Sequence, residues 1–447
     1  MKLGQIKNKK TNLLQVEIAH MSHIVVLGAG TGGIAAAFEF RKYLKRSHQI
    51  TVVHETDYFQ FVPSNPWIAI GTRKRKHTTL PLARVLGKRG IGCITQPAVR
   101  IDAAGNCLEL RDGSKVAYDY LMITTGARLG FDEVPGTGPD AYTQSITTVE
   151  HAERAYAEYE RFLKSPGPVI VGALPGASCF GVVYEYACIL SSDLKRRKLR
   201  HKVPMVFVTP EPYIGHMGIE GAGNSKGMLE AKLREHDMKW ITNAKVTRVE
   251  PGRMFVSEMN RHGQVEAEHE LPFSYSMLLP AFRGVTAVAS TKGLCNANGL
   301  VLVDEHQRSR AWPNIFAAGV GVDIPGMVPT PVPMGMPKTG FMIETMVTAA
   351  VHNIKADLEG KEATARATMS TICLADLGTT GAAFLVMPQN PPRNTVWTRL
   401  AKWVRWGKIL FERYFLMKVR FGTSEPLPEK YMMKLIGLKR LAKKTSS

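Results

Sequence analysis

Cysteine is the side chain with the most chemistry to offer in this chain of 447 residues, and its six copies are unevenly placed. Cys93, Cys107, Cys179, Cys188, Cys295 and Cys373 lack the short paired spacings that hold zinc or iron–sulfur clusters, so most of them read as buried thiols. Two stand in unusual contexts. Cys179 falls in GASCFG (176–181), just inside an expected helix start, where the positive end of the backbone dipole lowers a thiol pKa and favours the thiolate. Cys373 falls in ICLADLG (372–378). Taken alone, a cysteine at a helix start is more often packed and inert than redox-active.

The second chemistry is the cradling of phosphate by backbone. Gly28, Gly30 and Gly33 stand in G-x-G-x-x-G register between the apolar strand HIVVL and an Ala-rich helix. In that context the first glycine makes the tight turn, the second lets a pyrophosphate approach closely, and the third allows the helix to pack on the strand. The next strand ends at His54 and Glu55, where an acid should meet the ribose, and Glu55 is the better ligand by chemistry. A second strand and turn at 167–190 has the same form but reads Gly172, Leu174, Gly176. A leucine in the middle position obstructs a pyrophosphate, so this second Rossmann-like fold is expected to have lost NAD(P)H.

Two more segments position a cofactor. YDYLMITTGAR (118–128) runs into Thr125 and Gly126, and NIFAAG (314–319) ends at Gly319 before Val320. Both resemble the recurring signatures of two-dinucleotide-binding-domain flavoproteins, over residues 21–355, and the resemblance implies that they close around FAD. It also implies a cofactor contact at Val99. That superfamily usually carries an aspartate where Val320 stands, so any contact there falls to the backbone. A helix starting after Pro337 aims free amides at an anionic reduced flavin, with Gly340 as the point of closest approach.

The resemblance then narrows. GAGTGG (28–33), DYFQFVPSNPW (57–67), GASCFG, EPYIGHMGI (211–219), PVPMGMPKTG (331–340) and ICLADLG resemble, in order, segments of bacterial type I sulfide:quinone oxidoreductases. This implies that Cys179 and Cys373 form a redox pair beside the flavin, where sulfide attacks their bridge and electrons pass through FAD to quinone. It implies lesser roles for Glu185, His151 and His216 in proton movement, for Lys408 near the flavin and for Phe411 near the quinone. Thr147 stands where the family has a third cysteine, and a hydroxyl cannot carry sulfane sulfur. A type II NADH:quinone dehydrogenase is the nearest competitor, but it should keep an intact second glycine turn and needs no cysteine pair. A non-catalytic persulfide-binding or sulfide-sensing membrane protein is the reading of another class.

Composition bounds the rest. With 45% apolar and 21% charged residues and no long low-complexity run, the chain should be ordered and hold two or three domains. The expected class is α/β: tandem Rossmann-like dinucleotide-binding domains with a C-terminal amphipathic membrane-associating region. The expected division is an unstructured extension at 1–20, an FAD domain from 21–130 with 290–355, a second Rossmann-like domain at 131–289, and a C-terminal redox-cysteine and anchoring region at 356–447. The polar stretch 1–20 lacks the apolar run of a secretory signal, and Met21 is a second candidate start.

The net charge of +20 calls for an anionic partner. Trp397, Trp403, Trp406, Phe411, Tyr414, Phe415, Phe421 and Tyr431 recur at helical spacing among the basic residues of 399–444, with Leu400, Val404, Ile409, Leu410 and Leu416 between them. This is an amphipathic face and not a base-stacking platform, which excludes nucleic acid and favours anionic lipid. Lys402, Arg405, Lys418, Arg420, Lys434 and Lys439 would meet that lipid. No run reaches the roughly 18 apolar residues of a transmembrane helix. The expectation is therefore a peripheral protein on the cytoplasmic face of the cell membrane, with a homo-oligomer left open.

Overall fold

The computed structural model describes residues 21–324, 328–435 and 437–442, so the expected unstructured extension at 1–20 lies outside the described residues. The elements that position the site begin with β1 (His23–Leu27), α1 (Thr31–Tyr43), β2 (Gln49–His54), β3 (Gly92–Thr95) and β4 (Tyr120–Ile123). Next come α2 (Val149–Phe162), β5 (Val169–Ala173), α3 (Phe180–Arg196), β6 (Met205–Val208), β7 (Met238–Ile241) and β8 (Tyr275–Leu279). The chain closes with β9 (Ile315–Ala317), α4 (Gly340–Leu358), β10 (Thr371–Asp376), β11 (Gly381–Met387), β12 (Thr395–Ala401), α5 (Lys402–Arg420) and α6 (Leu427–Leu435).

The uninterrupted apolar runs of β1, β4 and β5 are those of strands covered on both faces, and they sit at or near the centre of parallel sheets. The first sheet has the order β9-β4-β1-β2-β3, so a strand nearly 200 residues downstream completes the first nucleotide domain. Helices α1 and α4 pack against one another and into the core of that sheet. The second sheet has the order β7-β6-β5-β8, with α2 and α3 in its core. The third, β10-β11-β12, is an antiparallel meander. Its strand β10 is packed by α3, α4 and α5, which brings Cys373 to both nucleotide domains.

The C-terminal arm departs from the usual amphipathic arrangement. Residues 395–401 form an edge strand, not the start of a helix, because TVWTRLA is rich in β-branched and aromatic side chains and pairs along β11. On α5 the buried stripe is Val404, Lys408, Glu412, Phe415, Lys418 and Val419, while Trp403, Trp406, Leu410 and Met417 lie exposed on the other side. Three charged groups therefore point inward among the apolar ones and four large apolar groups point outward, a departure from a soluble surface helix. Each inward charge is paired: Lys408 with Glu185, Glu412 with Ser64 and with Arg73 at 3.1 Å, and Lys418 with Glu344 at 2.7 Å and Glu429 at 3.3 Å. This corrects the expectation that Lys418 meets lipid, since it is 4% exposed and bonded within the protein. Among the described residues no helix is long and apolar enough to cross a membrane.

Arg440 completes this clasp, reaching Glu39 and Glu344 at 2.8 Å and Glu429 at 2.9 Å. The carboxylates Glu39, Glu344, Glu425 and Glu429 outnumber the cations Lys42, Lys418 and Arg440 by one. The surplus falls on Glu39, whose Oε2 is buried without a partner and whose pKa burial pushes up to about 7. Glu344, facing Lys418 and Arg440, is instead held below its ordinary value despite its burial. Because the folded pKa of Glu39 exceeds the unfolded one, its stabilising contribution is complete at acid pH and is lost as pH rises through about 7. Thermal melts of the holoprotein should therefore fall between pH 5.5 and 8.5. Glu39→Gln, which keeps an acceptor for Thr348 and Arg440, should flatten that fall, recovering up to about 3 kcal/mol at the alkaline end.

Candidate active site

The first glycine turn is built as its sequence demands. Gly28 has φ +104°, and a Cβ there would lie 2.4 Å from the carbonyl oxygen of Thr124; one on Gly33 would lie 1.8 Å from the carbonyl oxygen of Gly28. Both glycines are required by the protein itself. Gly30 differs, since a Cβ there would meet nothing within 4 Å, which is the open approach a pyrophosphate needs at the start of α1. His54 lies behind the turn, accepting the Ala29 N–H at 3.3 Å on Nδ1, and burial lowers its pKa to about 4, so it is a neutral buttress. Glu55, one residue on, is exposed and available to a ribose.

The ends of β4 and β9 close toward this turn. A Cβ on Gly321 would come within 2.7 Å of the carbonyl oxygen of Gly126, and Gly126 and Gly319 both have positive φ. Val320 is half-buried beside them. At the start of α4, Gly340 faces open space and the Thr339 hydroxyl is buried with no partner. An open glycine at each of two helix starts, with an orphaned hydroxyl at the second, fits a dinucleotide whose pyrophosphate sits at α1 and whose ring system reaches α4. Val99 lies farther out, exposed on the short strand Ala98–Asp102.

The second turn is filled. Leu174 is fully buried among Val134, Ile170, Val208 and Ala244. The Gly176 N–H donates to the Pro333 carbonyl at 2.7 Å, and the Gly335 N–H donates to the Ala177 carbonyl at 2.9 Å. A Cβ on Gly335 would lie 2.9 Å from that of Ser178, so segment 333–335 lies flush on the turn. The chain's own backbone thus takes the amide and the space that an NAD(P) pyrophosphate would use.

That crossing segment ends beside Cys179, which caps α3. Cys373, on β10, reaches the same turn of the helix: a Cβ on Gly181 would lie 3.6 Å from its Sγ. Both are thiols here, and each is close enough for the charge of Cys179 to bear on Cys373. The helix start was expected to lower the Cys179 pKa, but burial raises it, opposed by the N–H and ammonium of Lys338. Burial likewise pushes Cys373 up to about 12, helped by the Glu185 carboxylate. Glu185, two turns along α3, is buried against Lys408, and burial pushes it up to about 7 against that cation. Lys408 also lies 4.8 Å over the Trp67 ring, whose Nε1–H donates to Asp376 at 3.0 Å. It bears on the site through Glu185 and directly on Cys373, whose thiolate its charge favours.

The remaining candidates divide. His216 lies in the loop whose neighbours Met217 and Gly218 pack on Gly181 and Pro337, and its Nδ1 accepts the Gly218 N–H at 3.2 Å. His151, at the start of α2, meets Ser145 at 3.2 Å and Thr147 at 3.4 Å through Nδ1, and burial lowers its pKa. Phe411 is 42% exposed and packs against Phe61 and Phe415, at the edge of the outer face of α5.

Sequence reasoning missed Lys338, 8% exposed, whose pKa burial lowers to about 8 while Cys179 and Asp323 pull it back. Its signal was a cation two residues before a helix start, on the side that repels it. Lys338→Gln should raise the Cys179 pKa and slow its alkylation at pH 8 by about three- to tenfold, with Cys373 much less affected. Peptide mass spectrometry of the reduced holoprotein reads both rates.

Known proteins share this fold. The family model for pyridine nucleotide-disulphide oxidoreductases matches residues 22–335. The chain is 39% identical to the sulfide-quinone reductase of Aquifex aeolicus over 415 residues, covering 92% of this chain and 94% of that one. The X-ray structure of the sulfide:quinone oxidoreductase from the same bacterium has a TM-score of 0.89 at 38% identity, covering 95% of this chain and 98% of its own. NDH2 of Plasmodium falciparum, in complex with NADH, shares the fold alone, with a TM-score of 0.68 at 14% identity over 94% of this chain and 100% of that one. With both nucleotide folds matched and the second one closed, the chain belongs to the pyridine nucleotide-disulphide oxidoreductases, in the group of the sulfide:quinone reductases.

Proposed function

We propose that the chain oxidises sulfide and passes the electrons to a membrane quinone, with FAD as cofactor. The observation that carries this reading is the convergence of Cys179 and Cys373 on one turn of α3, beside a nucleotide turn that the chain itself has filled. Gly28, Gly30, Gly33 and Glu55 would hold the adenine half of FAD, and Thr125, Gly126, Gly319, Val320 and Gly340 the flavin half.

The cysteines supply the sulfur chemistry. Sulfide attacks one sulfur of an oxidised Cys179–Cys373 bridge; the S–S bond breaks, leaving a persulfide on one cysteine and a thiolate on the other. Removal of two electrons from that pair restores the bridge and releases sulfur at the zero-valent level. FAD, when bound, accepts those two electrons and hands them to quinone. Glu185, poised near neutral pH beside Cys373, takes up and returns protons, with Lys408 fixing its carboxylate. Thr147 with Ser145 and His151 offers hydroxyls and an imidazole where the family has a cysteine, so chain growth of sulfur at that point is lost.

The outward Trp403, Trp406, Leu410, Met417 and Phe421 supply the membrane contact, lying at headgroup depth with Lys402 and Arg420 beside them. Phe411, between that face and the inward Phe61 and Phe415, marks the quinone entry.

Anaerobic mixing should show fast bleaching of the flavin by sulfide and none by NADH; the opposite pattern overturns the reading. Cys179→Ala or Cys373→Ala should abolish sulfide-dependent quinone reduction with FAD retained, whereas Cys93, Cys107 and Cys295 tolerate the change. Trp403→Glu with Leu410→Glu should release the protein from liposomes and slow long-tailed quinones, while sulfide still bleaches the flavin.

A further inference from the structure

A cavity of about 170 Å³ opens where α1 meets the turn that follows α5, lined by Phe38, Arg41, Lys42, Arg89 and the turn residues 422–424. None of its lining residues belongs to the site described above. Two of its lining residues carry a polar atom buried without a partner: the Nε–H of Arg41 and the hydroxyl of Ser424, a residue only 2% exposed. Orphaned donors of this kind are rare in folded proteins and costly unless a ligand meets them.

Charge gives the ligand's sign. Arg41, Lys42 and Arg89 face the cavity, and the acid near them, Glu425, lies 3.3 Å from Lys42 and also 3.8 Å from Arg440. Lys42 is thus paired, and the two arginines donate to carbonyls: Arg41 Nη2 to the His48 carbonyl at 3.1 Å, and Arg89 Nη2 to the Phe421 carbonyl at 2.8 Å. Lys88 donates to the Arg420 carbonyl at 3.3 Å, adding a further cation alongside. Two guanidinium groups with a hydroxyl suit the tetrahedral oxygens of a phosphate.

Position gives the source. The lining turn joins α5 to α6, and it is bracketed by Phe421, 62% exposed, and Leu427, 69% exposed, at the end of the outward apolar stripe. We propose that this cavity binds the phosphate of an anionic lipid headgroup while Phe421 and Leu427 sit among its acyl chains. The proposal rests on the membrane-facing reading of α5 and α6. It assigns them a specific headgroup site besides their general attraction to anionic lipid.

The test uses the full-length holoprotein and sedimentation with vesicles of phosphatidylcholine alone or with phosphatidylglycerol. Arg41→Gln with Arg89→Gln is compared with an equal loss of charge on the exposed side of α5, Lys402→Gln with Arg413→Gln. Generic attraction gives each lost charge about the same fivefold effect, so the two pairs would then behave alike. The expected result is that the cavity pair loses affinity for phosphatidylglycerol vesicles about tenfold more than the control pair, with binding to phosphatidylcholine unchanged. Ser424→Ala, which alters no charge, should reproduce part of that loss. Equal losses in the two pairs overturn the proposal and leave the membrane reading intact. Binding of inorganic phosphate that the cavity pair abolishes, without any vesicle preference, overturns the lipid source in favour of a free anion. Failure of the unaltered protein to bind any vesicle overturns both readings together.

Discussion

The buried ion pair between Lys408 and Glu185 joins the three parts of the molecule that have to meet. Glu185 stands on α3, the helix that Cys179 caps; Lys408 stands on α5, the helix that carries the apolar outer face; and β10, with Cys373, lies between them. Two charges buried together are costly to place but far costlier to separate, since either alone would be an uncompensated ion in the interior. The pair therefore fixes the register of the arm against the second nucleotide domain. The same device is repeated along α5, where Glu412 ties it to Ser64 and Arg73, and Lys418 with Arg440 ties it to α1 and α4. Lys408, Glu412 and Lys418 face inward for this reason, and Trp403, Trp406, Leu410 and Met417 are left to face outward.

The two glycine turns show how one motif is kept or discarded by what surrounds it. Both retain the glycines that the protein needs for its own packing, Gly28 and Gly33 in the first and Gly172 in the second, where a Cβ would meet the Val208 carbonyl at 2.2 Å. They differ at the position that only a ligand requires. Gly30 is open, whereas Leu174 is drawn into the core, and segment 333–335 bonds across the turn behind it. That segment then leads through Lys338 to the start of α4, so closing the second turn and placing the open helix start proposed for the flavin are consequences of one stretch of backbone.

Much of this was legible in the sequence, and the reasons are local. HIVVL with its glycines, and the leucine that breaks the second set, are statements about sterics within a few residues. The long apolar runs declared parallel strands in the same way. The pairing of Cys179 with Cys373 could not be read from spacing, because nearly 200 residues separate them and only the meander of β10 to β12 brings them together. Resemblance supplied that pairing. The place of Lys418 was misjudged for a related reason: helical periodicity shows two faces but not where a charge on their border finds its partner. Lys408, Glu412 and Lys418 belong inward only because Glu185, Arg73 and Glu344, from three distant segments, await them. Burial also reversed the expected Cys179 shift, since desolvation of the thiolate outweighs the half charge of a helix end.

The asymmetry between the two thiols bears on which sulfur takes the attack. In thiol–disulfide exchange the rate depends on the leaving thiolate, and the more stable thiolate leaves faster. Cys373 would leave beside the Glu185 carboxylate, which opposes its charge more than the Lys408 ammonium favours it. Cys179 would leave beside the N–H and ammonium of Lys338, which favour its charge. Attack on the Cys373 sulfur with expulsion of Cys179 is therefore the easier direction, placing the persulfide on β10 and the thiolate at the start of α3. The ammonium of Lys338 then serves the proposed chemistry by steadying the thiolate once the bridge is open, rather than by making a nucleophile of the resting thiol. Raised resting pKa values in both cysteines agree with that order of events, in which the oxidised bridge is the electrophile and sulfide itself is the nucleophile.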